Sequence, residues 1–190
     1  MPEFALRVVE FVGKAVAEQV CKDESLAWLR ACSELGEMDQ LTINEYVPGQ
    51  GISPHVDTHS SFGDVIVSVS LGSGAVMNFA RASSVLPAEA PSSLSLYLPA
   101  RSILIMSGEA RLAYSHGIPL RKTDSVEGEL IRRSRRVSFT FRTVRCAPCA
   151  CRFPDACDSQ SGVLKPTRLA EEADACRAVG QSDEDGLVCS

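Results

Sequence analysis

Long hydrophobic runs are missing from these 190 residues. None reaches the roughly 18 apolar residues that a membrane helix needs, and Met1 is not followed by a basic region, an apolar stretch and a cleavage site. No membrane partner is expected, and the compartment read from this is the cytoplasm, with the nucleus as a second. There is no internal repeat, no Gly-rich phosphate loop and no ligand set for a second cofactor domain. Trp28 is the only tryptophan; in a helical region it reads as core rather than as a platform for a base. Histidine is nearly as scarce, with only His55, His59 and His116.

What remains suits one domain with enough length to bury a core. The net charge of -5 is unevenly placed, because residues 155–190 hold eight acids against three bases and the rest is neutral. Arg132, Arg133, Arg135, Arg136, Arg142 and Arg145 fall within fourteen residues that contain no acid. Such a cluster reads either as a solvated strand edge or as a phosphate-facing patch. Four of the eight cysteines crowd together as Cys146, Cys149, Cys151 and Cys157, and in a cytosolic chain that crowding favours metal over disulfides. Cys21, Cys32, Cys176 and Cys189 read as ordinary cysteines.

Phe4, Val8, Phe11, Val12, Val16 and Val20 recur at helical spacing, and residues 25–35 suit a second short helix capped by Ser25. From Gln40 the texture changes to short segments rich in Val, Ile, Leu and Ser: 41–47, 65–71, 75–80, 94–98, 102–107 and 137–144. Turn residues separate them, among them Pro48-Gly49-Gln50-Gly51 and Gly72-Ser73-Gly74. Regularly spaced short strands indicate a sandwich, barrel or jelly roll. Residues 160–166 read as a linker, 167–179 as a lone amphipathic helix, and 180–190 as an acidic, disordered end.

The chemistry concentrates in Pro54-His55-Val56-Asp57-Thr58-His59. On an extended segment His-x-Asp places both side chains on one face, and a distant His116 can complete a 2-His-1-carboxylate triad for non-haem Fe(II). Arg136 and Arg142 are an even number apart on one strand, so both guanidinium groups face one way and can bind the carboxylates of an anionic co-substrate. Asn44 and Tyr46 share a face on the strand before His55.

In that order, Asn44-Glu45-Tyr46, Pro48-Gly49-Gln50-Gly51, His55-Val56-Asp57, His116-Gly117 and the 136–142 strand resemble the AlkB family of Fe(II) and 2-oxoglutarate dependent oxygenases. Asp39-Gln40-Leu41-Thr42-Ile43-Asn44, Asp57-Thr58-His59-Ser60, Ser68-Val69-Ser70-Leu71-Gly72-Ser73, Met106-Ser107-Gly108-Glu109, Cys149-Ala150-Cys151 and Asp158-Ser159-Gln160 resemble its tRNA wobble-uridine hydroxylase branch. The resemblance covers residues 38–160.

It implies a mainly β fold with flanking helices around a double-stranded β-helix (jelly-roll) core over 38–145. A helical flank (1–37) precedes the core; a Cys-rich zinc segment (146–160) and an acidic tail (161–190) follow. His55, Asp57 and His116 would bind Fe(II). Asn44 and Tyr46 would hydrogen-bond 2-oxoglutarate and Arg136 and Arg142 pair with its carboxylates, without a choice of which arginine takes which end. His59 with Cys149, Cys151 and Cys157 would form a structural zinc site. Cys146 stays open as a free thiol or an alternate ligand in place of His59. Through the resemblance alone, Glu109 and Tyr114 shape the pocket; residues 124–129 read as a lid or a surface loop.

The implied reaction is hydroxylation of the side chain of 5-methoxycarbonylmethyluridine at the tRNA wobble position, with the anticodon loop as partner. A demethylase of nucleic acid or protein, and a catalytically silent zinc-stabilised binding module, are the alternatives. With neither an RNA-recognition nor a methyltransferase domain in these residues, a separate tRNA methyltransferase or a longer protein would supply the substrate.

Overall fold

The computed structural model describes residues 1–22 and 38–161. The expected helices at 25–35 and 167–179, the linker beyond residue 161, the acidic end, and Trp28, Cys32, Cys176 and Cys189 lie outside the described residues. The elements follow as α1 (Glu3–Lys22), β1 (Gln40–Tyr46), β2 (Ile52–His55), β3 (Phe62–Gly72), β4 (Ala75–Arg81), β5 (Ser93–Leu98) and β6 (Ser102–Ser107). Then come α2 (Gly108–Leu112), β7 (Tyr114–Ile118), β8 (Thr123–Val126), β9 (Glu129–Arg132) and β10 (Arg136–Val144).

Two four-stranded antiparallel sheets, ordered β1-β10-β3-β6 and β2-β7-β4-β5, form a jelly roll, so the mainly β expectation holds. The first sheet is covered on both faces. Val65 and Val67 of β3 and Phe141 of β10 pack with Ala5 and Val12 of α1, while Ile66 points the other way into a core shared with Ala75, Met77 and Phe79 of the second sheet. The period-2 alternation of β10 therefore sends Phe139 and Phe141 to the helix and Arg136, Ser138, Thr140 and Arg142 inward, between the sheets. No helix among the described residues is long and apolar enough to cross a membrane.

Several expectations need correction. The helix buries Ala5, Val8, Val9 and Val12 rather than a stripe through Phe4 and Phe11, which are 49% and 66% exposed. Packing against the sheet selects the helical face that carries residues 5, 8, 9 and 12, with the Phe4 ring touching Phe139 at its rim. Strands β2 and β7 escaped notice because Ile-Ser-Pro-His and Tyr-Ser-His-Gly-Ile carry few strand-forming residues. They exist through their pairing to each other and to β4.

Residues 124–129 are no loose loop. They lie in the β8–β9 hairpin, turning through Glu127 (φ 53°) and Gly128 (φ 87°), the pair of positive φ values of a tight two-residue turn. Fully buried Asp124 anchors it, accepting from Arg133 Nε at 2.6 Å and Nη2 at 2.7 Å, from Arg121 Nε at 2.7 Å and from the Val76 amide at 3.2 Å.

The arginine cluster divides on folding, with Arg132 and Arg135 left exposed at the surface and the others drawn inward or into ion pairs. Arg133 is bound to Asp124, Arg135 to Glu45, Arg142 to Asp57 and Arg145 to Asp64, and Arg136 is buried. Acids distant in sequence meet these bases once the strands pair.

Candidate active site

Strand β2 ends at His55, and Asp57 lies just beyond it. The two residues thus come together through the loop after the strand, not through alternation along it. His55 pairs in register with His116 of β7, and their rings are 4.5 Å apart between centroids. Gly117 makes this possible, since a Cβ there would sit 2.8 Å from Pro54 N and 2.9 Å from Ile52 O. The ligand atoms of His55, Asp57 and His116 all fall within 4.8 Å of one another. His55 Nδ1 lies 2.9 Å from Ser53 O. That contact fits an Nδ1–H donor and leaves Nε2 as a lone pair for a metal.

Asp57 Oδ1 accepts from Arg142 Nη2 at 3.0 Å, while Oδ2 faces His116 Nε2 at 3.6 Å and has no hydrogen-bond partner. Burial holds the His116 pKa down to about 4, against the partial opposition of the Asp57 charge. The imidazole is therefore neutral near pH 7, and its approach to Asp57 is not an ion pair. A buried carboxylate oxygen without a hydrogen-bond partner beside a neutral imidazole is a donor set that suits a divalent cation.

These groups line one cavity with Asn44, Tyr46, Ser68, Arg136, Ser138, Thr140 and Arg142, a space of about 430 Å³ that includes its opening to solvent. Arg136 is 3% exposed. It donates from Nη2 to Ser70 Oγ at 2.8 Å and lies over the Tyr46 ring at 5.5 Å, while its Nε has no partner. Burial pushes its pKa down. A buried guanidinium held only by a hydroxyl and a ring face has donors to spare for a carboxylate. Arg142 differs, being tied to Asp57, Gln40 and Thr42.

A second cluster gathers His59, Cys149, Cys151 and Cys157, again with ligand atoms within 4.8 Å. His59 Nδ1 is 3.5 Å from Cys151 Sγ. Two ligands of a tetrahedral zinc, one nitrogen and one sulfur at their usual bond lengths, stand about 3.6 Å apart. Burial pushes the Cys151 thiol up to about 11, so a cation must displace its proton for it to ligate. Gln160 Nε2 approaches Cys151 Sγ at 3.6 Å and donates to Cys151 O at 2.8 Å. Cys146 is exposed, lies outside the cluster and is disulfide-bonded, so it is neither a free thiol nor an alternate ligand.

Glu109 and Tyr114 do not line the cavity. Glu109 pairs with Arg152 at the surface, and the Tyr114 hydroxyl donates to Pro91 O within the core. Sequence reasoning gave no role to Arg111, which is fully buried against the Asp57 loop, and none to Asp158, which caps the amides of His59 and Ser60. Neither carries a local signal, because each acts on backbone groups some 54 and 99 residues away in the chain.

A family model described as the 2OG-Fe(II) oxygenase superfamily matches residues 2–142. The Alkylated DNA repair protein ALKBH8 homolog of Arabidopsis thaliana is 52% identical over 135 residues, 65% of this chain and 39% of that protein. The tRNA (carboxymethyluridine(34)-5-O)-methyltransferase alkbh8 of Xenopus tropicalis is 49% identical over 153 residues, 70% of this chain and 23% of that protein. Its Macaca fascicularis counterpart is 40% identical over 174 residues, 83% of this chain and 25% of that protein. The chain spans less than half the length of each of these relatives.

Proposed function

Because this chain belongs to the 2OG-Fe(II) oxygenase superfamily, we propose that it hydroxylates the side chain of a modified wobble uridine, 5-methoxycarbonylmethyluridine, in tRNA. The observation that carries the oxygenase half is one cavity holding the His55, Asp57 and His116 ligand atoms together with Arg136, a buried guanidinium that has no carboxylate partner among the described residues. Support for the wobble-uridine half is the identity of 40–49% to proteins whose names state a tRNA carboxymethyluridine-34 activity. That named activity is methyl transfer and belongs to proteins about four times as long as the matched stretch, so the oxidation proposed here is a different step on the same nucleoside.

Fe(II) and 2-oxoglutarate, when bound, supply O2 activation and oxygen insertion into a C–H bond, with succinate and CO2 as co-products. His55, Asp57 and His116 hold the metal on one side. Arg136 takes one carboxylate of the co-substrate, with Asn44 and Tyr46 as hydrogen-bonding neighbours, while Arg142, which lines the same cavity, orients Asp57. His59, Cys149, Cys151 and Cys157 hold a structural zinc that staples the segment after β10 to the loop after β2. The substrate is the tRNA anticodon loop, whose unstacked wobble base can enter without melting a duplex. A tRNA methyltransferase activity, on a separate chain or on a further part of a longer one, supplies the ester.

The test is turnover on total tRNA with Fe(II), ascorbate and 2-oxoglutarate, read by wobble-nucleoside mass spectrometry. Gain of one oxygen on the side chain is expected, since hydroxylating an ordinary carbon leaves a stable alcohol. Loss of a methyl with release of formaldehyde, the fate of a hydroxylated N-methyl group, points to a demethylase instead. Absence of succinate with and without tRNA points to a silent binding module.

A further inference from the structure

The segment from Asp57 to Ser60 joins one proposed metal set to the other, and two charged side chains that belong to neither set hold its backbone, one at carbonyls and one at amides. Arg111, on α2, is 1% exposed. Its Nη1 donates to Asp57 O at 2.6 Å and its Nη2 to Thr58 O at 3.1 Å. Asp158 takes the next two residues: Oδ1 accepts from the His59 amide at 2.8 Å and the Ser60 amide at 3.1 Å, and Oδ2 accepts from Ser60 Oγ at 2.5 Å. Carbonyls 57 and 58 are thus held by a cation and amides 59 and 60 by an anion, so that four consecutive residues without regular structure are fixed at the backbone.

A guanidinium in that position is costly to bury, and its Nε finds no partner among the described residues. Burial lowers the Arg111 pKa and the charge of Asp57 raises it, so the same aspartate whose carbonyl it holds also offsets its charge. Ordinary loop stabilisation does not require a fully buried arginine; neutral donors could satisfy two carbonyls at less desolvation cost. What the arginine adds is a rigid fork that fixes two adjacent carbonyls in one orientation. The Asp57 side chain is meanwhile set by Arg142 through Oδ1, leaving Oδ2 beside His116.

We propose that Arg111 and Asp158 are positioning residues that clamp the 57–60 backbone and so aim the Asp57 carboxylate at the metal. The inference rests on the metal assignments of the proposed function. Its test is anaerobic titration of the zinc-loaded full chain with Fe(II), with zinc content measured on the same samples and fold checked by near-ultraviolet circular dichroism. Arg111→Gln is expected to raise the Fe(II) Kd about 10- to 100-fold, the effect of losing an outer partner of a ligand, with zinc still at one per chain. Arg111→Lys, which keeps the charge and some donors, should recover part of that loss. Asp158→Asn, which keeps one acceptor, should weaken Fe(II) several-fold and carries the test if Arg111→Gln does not fold.

Folded Arg111→Gln or Asp158→Asn protein that binds Fe(II) as tightly as the unsubstituted chain overturns the clamp. An unsubstituted chain whose Fe(II) binding is indifferent to His116→Ala overturns the metal assignment, and the clamp with it. The two failures are told apart by that control.

Discussion

Replacing Arg136 with methionine separates a binding role from a structural one, because the first predicts a small change in apo stability with a large loss of co-substrate binding and the second a large loss of stability. In the protein without co-substrate, Arg136 is 3% exposed and held by one neutral hydrogen bond to Ser70 and by the Tyr46 ring. Its removal loses a hydrogen bond and a ring contact worth about 1 kcal/mol each and relieves a buried charge that no described carboxylate balances. The net change in apo stability is expected to stay within about 1.5 kcal/mol, with either sign. Co-substrate binding should suffer far more. Losing one partner of a buried charge pair costs about 3 to 5 kcal/mol, roughly a 150-fold or greater rise in the 2-oxoglutarate Kd.

The assay is thermal unfolding of the Fe(II)-loaded chain with and without 2-oxoglutarate. At a hundred times the unsubstituted Kd, the co-substrate adds about 2.7 kcal/mol, or roughly 5–10 °C in Tm for a chain of this size. The same concentration should move the Arg136→Met protein by less than about 1 °C. An undiminished shift, or an apo Tm lowered by more than about 10 °C, refutes the assignment and makes Arg136 a structural residue.

Three further outcomes follow from the geometry. Cys151→Ser should abolish zinc in elemental analysis and lower the unfolding temperature; one zinc per chain retained would contradict the four-residue cluster. Asp124→Ala should destabilise by about 3 to 5 kcal/mol in chemical denaturation, because it strands buried Arg133 without its carboxylate; a loss below about 1 kcal/mol would show that the hairpin is held by other means. His116 gives a pH dependence. Its folded pKa of about 4 lies below the unfolded value of 6.5, so between those values the unfolded chain binds the extra proton. Metal-free stability from this group is complete above pH 6.5 and drains as pH falls to 4, by up to about 3 kcal/mol. Urea unfolding of His116→Gln should show a shallower decline over that window, and an unchanged slope would remove His116 as the cause.

Much of the strand layout was legible because β1, β3, β4, β5, β6 and β10 are short segments rich in Val, Ile, Leu and Ser set apart by turn residues. The even spacing of Asn44 with Tyr46 and of Arg136 with Arg142 does turn each pair into the cavity. Alternation misled where a segment was defined by partners rather than by its own residues. Asp57 leaves the strand after His55, β2 and β7 form without strand-rich sequences, and four arginines of the cluster, at 133, 135, 142 and 145, each meet a different acid. The helix stripe read from helical spacing is right at Val8 and Val12, which pack on the sheet with Ala5 and Val9, while Phe11 stays outside.

The sequence by itself determined which residue types were available for chemistry, their order along the chain and, through period-2 alternation, which side of each strand they share. Tertiary structure alone decided that Arg142 is tied to Asp57 while Arg136 keeps unpaired donors, that Cys146 stands apart from the other three cysteines, and that Arg111 and Asp158 hold the loop between the two clusters. The physical reason is that these choices depend on which charges meet in a desolvated interior. Residues separated by 50 to 100 positions leave no periodic trace of that meeting in the chain.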